Sequence, residues 1–287
     1  MDSYIEKLKA NLPQKPIVIT VGNYKGGAGK TTNVTLISYS LARMGIKTLV
    51  VDMDPQSNAT KSLMLTRSAN EEKELSGINK TLMAAIQEQD FENLAVEIID
   101  NLYLLPSFID FADFPKYLYQ NFASEKDQDY VFKSLLDTIK DDYQIILLDT
   151  PPMNREVTRN SAIASDYVLI SLQTQEKSLT GAENYIKQLF ELMEQYGLDL
   201  DILGFLQVLF KNHGTVDTYI MDSAKELFGP ENIFKTVVPQ MERIKRFDIN
   251  GITDADMHDK KVLKLYSTVT TEFLERLEEL EEEKDGE

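Results

Sequence analysis

Residues 17–32, IVITVGNYKGGAGKTT, constrain the fold more than any other stretch of the chain. An apolar run, Ile17, Val18, Ile19 and Val21, passes into a loop containing Gly26, Gly27 and Gly29, and then into Lys30, Thr31, Thr32 and a pattern of helical period. The order is strand, glycine-rich loop, helix. Glycines let backbone N–H groups converge on one centre with no Cβ in the way, and the following helix adds the positive end of its dipole. A polyphosphate is the natural occupant. In such a loop Lys30 reaches the β- and γ-phosphates and the Thr31 hydroxyl takes one position on Mg²⁺. A glycine-rich loop by itself is often only a tight turn, but strand, loop, GKTT and helix together leave that reading little room. Read as G-x-x-x-x-G-K-[ST], the loop lacks its first glycine, and Lys25 stands near that point. The loop is therefore a variant, KGGAGKTT.

This variant resembles the signature of the ParA/MinD group of P-loop ATPases. The resemblance implies a single three-layer α/β P-loop NTPase domain with a mostly parallel central sheet flanked by helices. It also implies that Lys25 crosses a dimer interface to contact the nucleotide of the other subunit, so that dimerisation depends on nucleotide. Gly26, Gly27, Gly29, Lys30, Thr31 and Thr32 then bind ATP, and Lys25 and Lys30 stabilise the transferring phosphoryl group.

With 287 residues, 43% of them hydrophobic, the chain is long enough for one large α/β domain, and nothing in it reads as a flexible linker. It has no cysteine, which removes a disulfide framework, thiol catalysis, and the Fe–S reductases and arsenite pumps that share this fold. His213 and His258 have no partners at metal-ligand spacing and read as surface residues. No apolar run approaches the roughly 20 residues of a membrane span and no signal-peptide pattern is present, so the expected location is cytoplasmic. The formal charge of −17 argues against a uniformly basic DNA-binding face; any DNA contact has to be a local patch.

Residues 1–15 read as a helical extension, with Ile5, Leu8 and Leu12 at helical spacing, and residues 16–287 as the ATPase domain. The extension is expected to pack on its own domain and is too short for a helix-turn-helix module. Lys47 to Val51 is a buried strand that delivers Asp52 and Asp54 at its carboxyl end, the edge where open parallel sheets bind ligands. Asp before Pro is also a common turn former. The segment DMDPQSNAT again looks like the ParA family, which implies that Asp54 orients the attacking water and that Asp52 is a group near Mg²⁺. Residues 66–80 are polar and read as an exposed loop or insertion. The aromatics between Phe108 and Phe122 are interleaved with Asp110 and Asp113, which favours packing over base stacking.

Gln144 to Leu148 is a short apolar strand ending at Asp149, the pattern of an aspartate that holds Mg²⁺ directly or through water. Asp149, Thr150, Pro151 and Pro152 match the family's second switch, and Asn160 coincides with another family position. Phe210 ends a strand and Pro239 follows one; both suit an adenine face. Lys235, Arg243, Lys245 and Arg246 form a basic cluster that is anomalous in so acidic a chain, and the resemblance implies contact with DNA phosphates there. The competing reading is a solvated surface balanced by Glu242 and Asp248. The final helix, about Lys261 to Glu283, is amphipathic, and from Glu272 onward holds nine acids against two basic residues, opposite in sign to a membrane-binding tail.

The resemblance thus implies a plasmid or chromosome partition ATPase. It would use ATP and Mg²⁺, form a homodimer, bind nonspecific DNA on the nucleoid without a membrane, and be stimulated by a ParB-type centromere-binding partner. The alternatives are a MinD-like ATPase and one that positions cargo other than DNA.

Overall fold

The computed structural model of the chain describes residues 2–70, 77–210 and 215–286. Among the described residues the strands are β1 (Ile17–Gly22), β2 (Thr48–Asp52), β3 (Val96–Ile99), β4 (Leu102–Leu105), β5 (Ile145–Asp149), β6 (Tyr167–Gln173), β7 (Asp201–Phe210) and β8 (Val238–Pro239). They form one sheet in the order β3-β4-β2-β5-β1-β6-β7-β8. Every pairing is parallel except β3 with β4. The central strands are buried along their whole length, which is why they read as continuous apolar runs and not as alternating ones.

The helices are α1 (Asp2–Ala10), α2 (Lys30–Arg43), α3 (Asn58–Asn70), α4 (Leu82–Glu88), α5 (Phe114–Asn121), α6 (Glu125–Leu136), α7 (Arg155–Ala164), α8 (Glu176–Tyr196), α9 (Thr215–Phe228), α10 (Glu242–Asn250) and α11 (Met257–Gly286). Side chains of β1 divide between the two faces: Ile17, Ile19 and Val21 pack with α1, α2, α3, α10 and α11, while Val18 packs with α4 to α7. A further cluster joins β6 and β7 to α8 and α9. The result is three layers, helices on both faces of a mostly parallel sheet, as the sequence predicts.

Leu8 of α1 is buried against this core and Tyr4 donates a hydrogen bond to Glu275 of α11 at 2.7 Å, so the N-terminal helix packs on its own domain. Phe111 and Phe114 are buried and stacked 5.1 Å apart, the packing role expected of that aromatic segment. Three sequence expectations need correction. Residues 66–70 are not loop but the last turn of α3: Thr66 is buried and its hydroxyl both donates to the Ser62 carbonyl and accepts the Ile252 N–H. Polar residues there serve the interior, so polarity misled; residues 71–76 of the expected loop lie outside the described residues. The strand β3, unexpected from sequence, pairs antiparallel with β4 at the sheet edge. The final helix begins at Met257, four residues early, because Asp256 caps it by accepting the His258 and Asp259 N–H groups at 2.7 and 2.9 Å. His258 is exposed, as expected, and His213 lies outside the described residues.

Candidate nucleotide site

β1 lies between β5 and β6, and β5 lies beside β2, so the carboxyl ends of β2, β5 and β1 are neighbours at one edge. The loop after β1 carries Gly26, Gly27 and Gly29, that after β2 carries Asp54, and β5 ends in Asp149. Gly29 adopts φ +83° at the N-cap of α2, a left-handed conformation that side chains resist, and so turns the loop into the helix with its amides pointing inward. Lys30 is buried, its ammonium donating to the Asn23 and Lys25 carbonyls at 3.0 and 3.3 Å. Burial lowers the pKa of Lys30, and the charges of Asp149 and Asp54 act against that shift, so the cation sits between the loop and both carboxylates. Pro152, after β5, packs over Gly26 at 3.8 Å from a Cβ built there, and Thr150 donates to the Val21 carbonyl at 3.0 Å. The predicted second switch is therefore tied directly to the phosphate loop.

Asp149 is fully buried and both carboxylate oxygens lack a hydrogen-bond partner of good geometry among the described residues. Burial raises its pKa well above the ordinary 3.8 and the Asp52 charge raises it further, while the Thr31 hydroxyl and Lys30 work in the other direction. A buried carboxylate without a partner, beside a hydroxyl and facing a phosphate cradle, is what a hydrated divalent cation held through few protein ligands requires. Asp52 has a different part. Its oxygens accept the Thr60 N–H and hydroxyl, each at 2.8 Å, and the Asp54 N–H at 3.1 Å. With both oxygens engaged by Thr60 and Asp54, Asp52 positions the β2–α3 loop from beside Asp149, which suits a group near the ion and not one of its direct ligands. Burial raises its pKa to about 6 against the pull of those hydrogen bonds. Asp54 is buried, with one oxygen closing a turn onto the Gln56 N–H at 2.9 Å.

Lys25 is not in the cradle. It lies at the rim, its ammonium donating to Gln173 Oε1 at 2.6 Å and to the Gly26 carbonyl at 3.3 Å, and partial burial together with the Lys177 charge lowers its pKa. Phe210 and Pro239, the expected adenine contacts, are register partners on β7 and β8; Pro239 is half-buried, and the Phe210 side chain lies outside the described residues, as does Lys211.

The basic cluster does not hold together as one surface. Arg243 is mostly buried and ion-paired with Asp256 and, at 2.8 Å, with Asp259, which fastens α10 to the start of α11. It is thereby removed from the expected DNA contacts. Lys245 is exposed and pairs with Glu242 at 2.7 Å, Arg246 is exposed, and Lys235 lines a separate groove with Tyr4, Thr268 and Glu272. Asn160 is also structural: it accepts the Phe132 N–H at 3.1 Å and donates to the Gln128 carbonyl, joining α7 to α6.

Sequence reasoning missed the support of the loop. Asn23 donates to the Ser171 and Ser178 carbonyls at 2.9 and 3.3 Å and accepts the Lys25 N–H at 2.8 Å. A Cβ at Gly181 of α8 would lie 2.7 Å from Asn23 Oδ1, and one at Gly22 would overlap the Tyr185 ring at 2.3 Å, so α8 seats against the loop only through two glycines. No local signal announces contacts between residues so far apart in the chain.

A glycine cradle at the switch of a parallel sheet, a buried lysine within it, and a partnerless strand-end carboxylate facing Thr31 define a P-loop nucleoside triphosphatase. The AAA domain family AAA_31 matches residues 17–202. The sporulation initiation inhibitor protein Soj of Bacillus subtilis is 26% identical over 235 residues, covering 82% of this chain and 88% of Soj. McdA from Cyanothece superposes with a TM-score of 0.74 at 21% identity, covering 91% of this chain and 99% of McdA. A Borrelia burgdorferi plasmid partition protein bound to AMPPNP superposes with a TM-score of 0.71 at 20% identity, covering 91% and 99%. The chain belongs to the AAA domain family and, within it, to the ParA/MinD superfamily of P-loop ATPases. Among the described residues no helix is long and apolar enough to cross a membrane.

Proposed function

We propose that this ATPase is a DNA partition motor that two subunits form by closing face to face on ATP. The observation that carries the reading is the pair of lysines at one loop: Lys30 fills the cradle from within, while Lys25 waits at its rim on Gln173. A cation outside its own pocket, on a flexible stem, is placed to complete a neighbour's. Thr31 and Asp149 would hold Mg²⁺, which would supply charge neutralisation to the bound phosphates. Gly26, Gly27, Gly29, Lys30, Thr31 and Thr32 hold the phosphates, Pro239 and Phe210 border the adenine, and Asp54 positions the attacking water. Lys30 and the partner subunit's Lys25 stabilise the charge that develops on the transferring group. None of these residues is a strong general base, so turnover alone is slow. A ParB-type centromere-binding protein accelerates it and releases the dimer from the nucleoid.

DNA is held without sequence preference through the exposed Lys245 and Arg246 of α10, with Lys235 a separate contact, and the counterparts on the second subunit double a set of charges too small to act alone in a chain of charge −17. Relatives named as chromosome-partitioning ATPases support this reading over a cargo-positioning one. The test is retention on random duplex DNA with ATP, ADP or no nucleotide. Retention is expected with ATP only, to weaken with salt, and to fall by about tenfold or more in the Lys245→Ala, Arg246→Ala double variant. Equal retention in ADP, or an unaffected double variant, overturns it.

A further inference from the structure

α8 and α9 diverge over the amino-terminal half of β7 and leave a groove of about 710 Å³ between them. Its floor is apolar: Phe205 and Phe228 stack at 4.2 Å, flanked by Ile186 and Met193. On its walls Phe190 of α8 is 57% exposed and Leu227 of α9 is 52% exposed, two large apolar side chains left in water at one groove. The rim carries Glu183, Glu191 and Glu194 from α8 and Asp201 from β7 against a single base, Lys187. None of these four acids forms an ion pair among the described residues.

We infer that this groove docks a cationic amphipathic helix of a partner protein. The shape, a trough between two helices with an apolar floor, suits a helix that sets residues at i, i+3 or i+4 and i+7 into it. The charge selects the sign. A second copy docked groove to groove would bring the same acids against each other, and the chain's final helix is acidic from Glu272 onward, so the charge of neither suits the groove. A helix with lysine or arginine beside its apolar stripe buries Phe190 and Leu227 and answers all four carboxylates. The inference stands on the groove alone and does not depend on what the ATPase moves.

The experiment titrates the full-length protein with a labelled peptide of leucine and lysine, its leucines at helical i, i+3 or i+4, i+7 spacing. One comparator has the same residues in an order that breaks the stripe, and another has glutamate for lysine. The ordered basic peptide is expected to bind about tenfold or more tightly than either comparator. The Phe190→Ser, Leu227→Ser double variant is expected to lose about tenfold in affinity with its melting temperature and ATP binding unchanged, since both side chains point to water. A Glu183→Gln, Glu194→Gln variant is expected to bind more weakly with a shallower salt dependence. Equal binding of the broken-stripe peptide would mean general attraction to an acidic body and overturn the inference. So would tight binding of the glutamate peptide, or wild-type affinity in the double serine variant.

Discussion

Asp149 and Asp52 stand at the ends of adjacent parallel strands as register partners; burial raises the pKa of each, and the Asp52 charge raises that of Asp149 further. A carboxylate held above its unfolded value of 3.8 stabilises the fold when protonated, and that contribution is present below the unfolded value and lost as pH rises through the folded one. Without ligand the protein is therefore expected to lose stability from about pH 4 upward, through the value of about 6 at Asp52. Asp149→Asn removes one buried charge, so its melting temperature should match the wild type near pH 4 and exceed it at pH 7.5. The gain should be about 1 kcal/mol, or roughly 2–4 °C, and the variant should lose the extra stabilisation that Mg²⁺ adds to ATP. Calorimetry across that range checks it; a lower melting temperature for the variant at pH 7.5 would show that Lys30 alone had compensated Asp149. Lys30→Ala should abolish ATP binding, because the cradle then presents amides with no cation at its centre.

At the scale of elements, α8 and α10 divide the work in ways their sequences do not suggest. α8 meets the phosphate loop at Gly181 and Tyr185 and lines the open groove with Ile186 and Phe190, so one rigid helix spans both places. Gly181→Val puts side-chain atoms where Asn23 now stands, which pushes α8 off the loop. ATP affinity should fall by about tenfold or more while far-UV circular dichroism stays native, measurable by titration with a fluorescent ATP analogue. α10 presents Lys245 and Arg246 outward but spends Arg243 on Asp256 and Asp259. Arg243→Ala should cost about 2 kcal/mol in denaturant unfolding, since the buried Asp259 loses its cation and keeps only the Thr253 hydroxyl and the Ala255 N–H, whereas Lys245→Ala should change stability by less than about 0.5 kcal/mol.

For the whole molecule, the reading turns on whether the site is complete within one chain. Lys25 rests on Gln173 at the rim and not within its own cradle, where a second subunit's site can take it up. Sedimentation with ATP and Mg²⁺ should show monomers converting to dimers for the wild type and for Asp54→Ala, and far less for Lys25→Ala. Asp54→Ala dimers should persist because turnover, which reopens them, is lost. A Lys25→Ala variant that dimerises and hydrolyses like the wild type would place the cation outside the mechanism.

What the sequence determined by itself was local: the strand, loop and helix of residues 17–32 and the acids at the ends of β2 and β5, with the parallel sheet implied by the resemblance those motifs carry. Those features are legible because each is a short-range pattern, an apolar run followed by a residue type that only one local geometry accommodates. Tertiary structure decided what each charge is for. Asp52 and Arg243 look as available in the sequence as Asp149 and Lys245, yet Thr60 engages the first and Asp259 the second, while Asp149 is left without a partner. The outcome depends on which groups the fold brings within hydrogen-bonding distance, and burial then makes an unmet charge costly enough to require a ligand.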